Sequence, residues 1–298
     1  MRPFGFALGA LVIGAVLALP FSWTQDGTMS APKAFTWSFP DAGFGGFSGL
    51  AVAQGGLDFV ALNDRGAWTA GRFNRDEQGD IQSISQGNLS LLKARGIEPL
   101  SRFRNDSEDL AIAADGTAYV GFEGVARVLR YRSLDGVAEN LPDHPDFALY
   151  AGNRAFESLA IDQVGALYVL PERSIYDPDQ IPLYRFDKGG WTKPFYLPKS
   201  NGFDPVSADF GPDGGLYVLE RRFTFLEGFA SRLRKFLINA QGVQLVETLF
   251  ESPFGTYDNL EALSLWEGYD GILRATMLSD DNFFMFQKTQ FVELTLTR

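Results

Sequence analysis

The sequence has no cysteine and a single histidine among its 298 residues. Without thiols there is no disulfide, thiolate nucleophile, zinc–cysteine site or acylated lipoprotein cysteine. The one histidine, His144 in the stretch Pro142-DHPDF, reads as an incidental residue of a loop. A Ser-His-Asp hydrolase would have to use it, yet no G-x-S-x-G elbow accompanies it. An Arg-His-Gly phosphatase motif is missing, and zinc hydrolysis needs more nitrogen or sulfur ligands than one histidine supplies. Positive charge is scarce as well: 26 Lys and Arg against 37 Asp and Glu leave a formal net charge of −11. No basic stripe runs along the chain, so nucleic acid and anionic lipid are disfavoured as partners, and cations or cation-bridged ligands are favoured. The glycine-rich Gly43-FGGFSG lacks a following Lys and precedes a strand pattern, which excludes a phosphate-cradling loop.

What is present is the composition of a globular chain with a sizeable core, 45% hydrophobic and 21% charged. The 27 Phe and 32 Gly favour many short strands joined by tight turns. At the N-terminus an uncharged, mostly apolar run, Phe4 to Phe21, follows a lone Arg2. It has the length of a signal-peptide core and approaches that of a short membrane span. Ala18 is followed by Pro20, Phe21 and Trp23 with no clean A-x-A site, so an uncleaved anchor stands beside a cleaved signal. Residues 1–31 are thus expected to export the protein to the periplasm or hold it at the membrane, and 32–298 to form one domain.

Five segments repeat. They begin at Phe47-SGLA, Asp106-SEDLA, Ala155-FESLA, Pro205-VSADF and Asn259-LEAL, and each reads as a polar anchor, an apolar strand, a glycine turn and a second strand ending in an acid. The anchors Ser48, Glu108, Glu157, Ser207 and Glu261 are separated by 60, 49, 50 and 54 residues. Periods near 40–50 residues with several strands per unit predict an all-β propeller. The count is five blades, with room for a sixth in the longer first gap around Leu89 to Phe103. Asp115-Gly116 and Asp213-Gly214 suit the positive φ of tight turns. The stretches Ala126-RVLRYR, Pro182-LYRF and Ser231-RLRKFLI alternate apolar with basic residues and read as half-exposed outer strands. Phe291-VELTL is expected to pair near Phe35-TWSF and close the ring, leaving no open edge.

Inner strands of a propeller line the axial channel, so the anchors converge on one mouth. A second acidic set, Asp64, Glu123, Glu172, Glu220 and the pair Asp280-Asp281, follows 16, 15, 15, 13 and 19 residues after them. Carboxylates gathered this way need protons, Arg or Lys partners, or a hard cation. Ca²⁺ takes about 6–8 oxygen ligands and fits. The same residues also suit a purely structural task, capping backbone groups and pinning blade to blade.

These motifs, with Leu62-NDRG, Pro171-E, Leu278-SDDNF and Gln287-KTQF, resemble those of bacterial phytase-like proteins described by an esterase-like activity of phytase. The resemblance spans nearly all of the chain beyond residue 35. It implies a propeller, export and a hydrolase of phosphate or other esters using Ca²⁺. The chain departs from the family's Glu-Gly pattern at Glu108-Asp109, Glu157-Ser158 and Glu261-Ala262, and carries Ser207-Ala208 in the fourth repeat. The hydrolase reading places Ca²⁺ on Glu108, Glu157, Glu261 and Asp281. Asp64 then orients or deprotonates water, and Arg65 with Arg173 or Arg222 binds a small anionic ester. The competing reading is a monomeric, non-catalytic propeller presenting its mouth and aromatics such as Trp68, Tyr176 and Phe283-Phe284 to an envelope ligand. A third, a lactonase- or sugar-dehydrogenase-like propeller, rests on the same axial acids.

Overall fold

The computed structural model describes residues 31–94, 105–150 and 156–296. Short apolar runs cut by glycine turns yield, among the described residues, 21 strands in five antiparallel sheets. Blade one holds β2 (Phe47–Val52), β3 (Asp58–Asn63), β4 (Ala67–Arg75) and β5 (Ile81–Gln86), with the short β6 (Ser90–Leu91) also pairing with β4. Blade two holds β7 (Ser107–Ile112), β8 (Ala118–Phe122), β9 (Arg127–Tyr131) and β10 (Glu139–Asn140). Blade three holds β11 (Phe156–Ile161), β12 (Leu167–Pro171), β13 (Gln180–Asp187) and β14 (Gly190–Pro198). Blade four holds β15 (Asp204–Phe210), β16 (Leu216–Thr224), β17 (Gly228–Asn239) and β18 (Gly242–Glu251). Blade five holds β19 (Asn259–Glu267), β20 (Leu273–Asp280) and β21 (Gln290–Leu296), and its outer strand is β1 (Lys33–Thr36) from the other end of the chain.

The inner strands β2, β7, β11, β15 and β19 touch in succession, and β19 touches β2, so the ring is closed. Five apolar clusters lie one in each gap between neighbouring blades. All five turns between first and second strands carry a glycine near φ +70 to +86°: Gly56, Gly116, Gly165, Gly214 and Gly271. Closure follows the expected pairing, Phe35 opposite Phe291, with Trp37 just beyond it stacking on Phe47 at 4.8 Å. Part of the long first gap is taken by β5 and β6, and the described residues contain five sheets. The remainder of that gap and the expected N-terminal segment lie outside the described residues. Among the described residues no helix is long and apolar enough to cross a membrane.

The basic third strands differ from expectation. Arg232 and Arg234 of β17 are buried, because Glu220 of β16 lies on the same face directly opposite Arg232. Both Nε atoms donate to Glu220 Oε2, at 2.8 and 2.7 Å. The half-exposed alternation belongs instead to fourth strands such as β14. His144 caps a 3-10 turn over Pro145–Leu149 by accepting the Asp146 N–H at 3.1 Å on Nδ1.

Candidate functional site

Every inner strand begins with the same irregularity. Its pairing to the second strand slips between Phe47 and Gly49, Ser107 and Asp109, Phe156 and Ser158, Pro205 and Ser207, and Leu260 and Ala262. The extra residues are Ser48, Glu108, Glu157, Val206 and Glu261. A β-bulge bends the strand and re-aims the side chain at its centre. Four of these five line one axial cavity of about 410 Å³; blade four presents Val206 at the bulge.

Ser207, the expected fourth anchor, is therefore one residue out of place. It lies fully buried beneath the cavity, where its hydroxyl donates to Asp109 Oδ2 at 3.0 Å and accepts the Leu263 N–H at 3.1 Å. Asp109 also accepts the N–H groups of Leu110 and Leu159, both at 2.8 Å. Blades two to five are thus stitched together under the mouth, and burial drives the Asp109 carboxyl well above its usual range.

The second ring comes from the residues that end the second strands. The Asp64 N–H donates to Gly46 O at 2.8 Å and the Glu123 N–H to Asp106 O at 2.9 Å, while Arg221 pairs with Asp204 and Asp280 with Asn259. Adding Glu172, the ring reads Asp64, Glu123, Glu172, Arg221, Asp280, all lining the cavity. In blade four the expected Glu220 is again displaced by one residue, into its buried clamp, and a cation stands at the acid's position. Gly46 at φ +65° makes room for this: a Cβ there would collide with the Phe283 ring and stand 2.8 Å from Asp64 Oδ1.

The remaining predicted residues divide. Arg173 lines the cavity with its side chain half exposed, 3.6 Å from Glu172 and 3.7 Å from Asp204. Arg65 lies outside it, its guanidinium 3.3 Å above the Phe283 ring. Arg222 also lies outside, 5.2 Å over Phe254. Asp281 is spent on the backbone: Oδ1 accepts from Gly46 and Phe283 at 2.9 and 3.0 Å, and Oδ2 from Thr289 Oγ1 at 2.9 Å. Its neighbour Asp280 faces the cavity instead.

The charge balance is uneven around the ring. On the blade-four side, Arg221 Nη1 donates to Asn259 Oδ1 at 2.7 Å and to Glu261, and Nη2 lies 3.9 Å from Glu172. On the blade-two side, oxygens of Asp106, Glu108 and Glu123 lie within 4.8 Å of one another. Burial raises Glu108 well above the usual range, and Glu157, Glu261, Glu123 and Asp106 raise it further. Glu157 is raised too, by burial against the lowering pull of Arg221. Asp280 is pushed up to about 9 by burial and by Glu261, with which it shares a hydrogen bond. Burial lifts Asp64 to about 6, and its buried Oδ1 has no hydrogen-bond partner. The donor set is all oxygen, clustered and proton-hungry, which suits a hard divalent cation better than a soft one.

The opposite mouth of the channel is a different cavity. It measures about 1160 Å³ and is walled by small or apolar residues such as Ala51, Ala113, Ile161 and Leu265, with Asp209 pushed up to about 7 by burial.

The family profile of phytase-like proteins, described as esterase-like activity of phytase, matches residues 42–283. The chain belongs to this phytase-like family. No curated protein sequence matches it. Among solved structures, the phytase-like chain is similar to the α-L-arabinofuranosidase of Podospora anserina, at 11% identity over 87% of this chain and 94% of that one, with a TM-score of 0.49. It is also similar to the calcium-binding regucalcin of Agrobacterium tumefaciens (11% identity, 85% and 91% covered, TM-score 0.47). A third is the PQQ-bound aldose sugar dehydrogenase of Streptomyces coelicolor (13%, 89% and 98%, TM-score 0.45). At such identities these likenesses say nothing about ligand or reaction.

Proposed function

We propose that this phytase-like propeller is an exported, divalent-cation-assisted hydrolase of phosphate or related esters, working at the acidic mouth. The observation that carries the reading is the clustering of Asp106, Glu108 and Glu123 beside an Arg221-neutralised half of the same cavity. An anionic ester approaches such a mouth only when a cation inverts the local field. Ca²⁺ is the ion that best suits the donors, held by Asp106, Glu108 and Glu123 with Glu157 bordering. When bound, it would supply charge stabilisation for the ester oxygens.

The chain's own residues supply the rest. Arg173, half exposed at the rim and not fully engaged, has the reach and charge to hold the anionic group. Asp64, whose Oδ1 accepts no hydrogen bond and lies 3.9 Å from Arg65 Nε, and whose carboxyl is raised to about 6, is the base that takes a proton from water at that atom. Arg221 fixes Glu261 and Glu172 in place. Asp280 stays neutral at pH 7 and shares its proton with Glu261. Asp281 and Arg65 take positioning roles in the loops around the mouth, and Arg222, a β16 residue directed at Phe254, has none in the reaction.

The test is a calorimetric Ca²⁺ titration of the wild type, Glu108→Gln and Asp64→Asn, followed by turnover of a panel of phosphate and carboxylate esters. Stoichiometric binding that Glu108→Gln loses, with turnover lost on about a 100-fold scale or more in Asp64→Asn while its Ca²⁺ binding persists, is the expected result. No binding by the wild type, or full turnover in both variants, overturns it.

A further inference from the structure

The rim of the acidic mouth is built from loops that join second strands to third strands, and two of them carry its most exposed apolar residues. The β16–β17 hairpin carries Phe223 at the end of β16 and Phe225 and Leu226 in its turn, and the loop after β20 carries Phe284, Met285 and Phe286. Phe225 and Leu226 are 93% and 92% exposed, Met285 and Phe286 84% and 76%. Soluble proteins rarely concentrate large apolar side chains at protruding tips unless something covers them. Both loops start from strands that end in the cavity, at Arg221 and Asp280, so both tips project on the mouth side, from neighbouring blades.

The tips are shaped in advance. Gly228 at φ +83° closes the first turn, and Asn282 and Phe283 at φ +49° redirect the second. Phe223 packs on Phe229 at 4.8 Å and Phe284 on Phe286 at 5.4 Å, so each apex stands on a ring pair. An exposed cation sits at each base, Arg222 below one apex and Lys288 below the other; the acid Glu227 borders the first. Apolar residues at the apex with a cation one layer behind match the depth profile of a membrane interface, where acyl chains give way to headgroup phosphates.

We infer that these two tips dock the propeller, mouth first, on the headgroup region of a lipid bilayer. A bilayer is favoured over a protein partner for two reasons. Each tip backs its apolar apex with an exposed cation, and the chain's apolar run at residues 4–21 has a length suited to the same phase. The net charge of −11 selects a zwitterionic surface over an anionic one. Docking of this kind does not depend on whether the mouth hydrolyses an ester. It brings the cavity over lipid headgroups and leaves the opposite mouth in water.

The absence of cysteine makes the test clean. Single-cysteine variants of the full chain, Leu226→Cys, Met285→Cys and Val164→Cys, are labelled with a polarity-sensitive dye and reconstituted with phosphatidylcholine vesicles. Val164 lies on the opposite face, in the turn between β11 and β12, and is 85% exposed, so it reports the alternative orientation. Expected are a blue shift and several-fold protection from aqueous iodide at positions 226 and 285, with neither at 164. Full quenching at 226 and 285 overturns the inference and leaves the tips to a protein partner. Shielding at 164 instead overturns it in favour of the opposite mouth.

Discussion

Blade two and blade four place the same repeat positions on the same cavity and solve the resulting charge problem in opposite ways. Blade two offers Asp106, Glu108 and Glu123 within 4.8 Å of one another. Blade four offers Val206 at the bulge and Arg221 where its sisters carry an acid, and that one guanidinium reaches Glu261 and Glu172. A fully acidic five-fold ring would raise every member's pKa until part of it protonated. One inverted blade neutralises half of the mouth from within and concentrates the remaining demand for a cation on the other half.

Removing the inversion should have the largest effect. Arg221→Met takes from Glu261 its only guanidinium and leaves Glu172 with the rim Arg173 alone, and is expected to cost about 3 kcal/mol in denaturant unfolding at pH 8. Acid or Ca²⁺ should restore part of it. A loss under about 0.5 kcal/mol would mean that the acids share protons and need no guanidinium. On the other side, Glu108→Gln should stabilise the cation-free protein at pH 8 by about 1 kcal/mol. It should also abolish any rise in melting temperature on adding Ca²⁺. Destabilisation would show that the two sides do not differ in kind.

The smallest effect is on the pH profile. Glu108, Glu157, Asp64 and Asp280 all have folded-state pKa values above their unfolded ones, so the folded state binds more protons. Their contribution is complete below the unfolded value of 3.8 for Asp64 and Asp280, and is lost as pH rises through about 6 and about 9 respectively. The cation-free melting temperature should fall by on the order of a few degrees between pH 5 and pH 9. Ca²⁺ should flatten that slope. A profile that rises over the window would contradict the buried, proton-hungry mouth.

The propeller was legible because a blade is a local object: strand, glycine turn and strand recur at a spacing visible by eye. The mouth was legible in three bulge acids, Glu108, Glu157 and Glu261, and in Asp64. It was misread in blade four because Ser207 looks like Ser48, and chemical likeness is a poorer guide than register. Counting back eight residues from the turn glycines Gly56, Gly116, Gly165 and Gly214 lands on Ser48, Glu108, Glu157 and Val206. Counting forward seven from the last three lands on Glu123, Glu172 and Arg221, so the inverted blade was in the spacing all along. Asp106 was hidden for another reason. It enters the cavity from the residue before its strand, where no repeated pattern points. Asp281 beside Asp280 was a matter of which side of a turn faces inward, which adjacent identical residues do not reveal.

The outermost strand of the last blade, Lys33–Thr36, belongs to the first residues of the domain to leave the ribosome, and its partner Gln290–Leu296 to the last. Until Gln290–Leu296 has been made, this strand has nothing to pair with, and once the rest of blade five forms, its edge stays bare until the two segments meet. Crowded nascent chains would therefore have one specific way to go wrong: the early strand of one copy completing the late blade of another, a swapped and joined pair of rings.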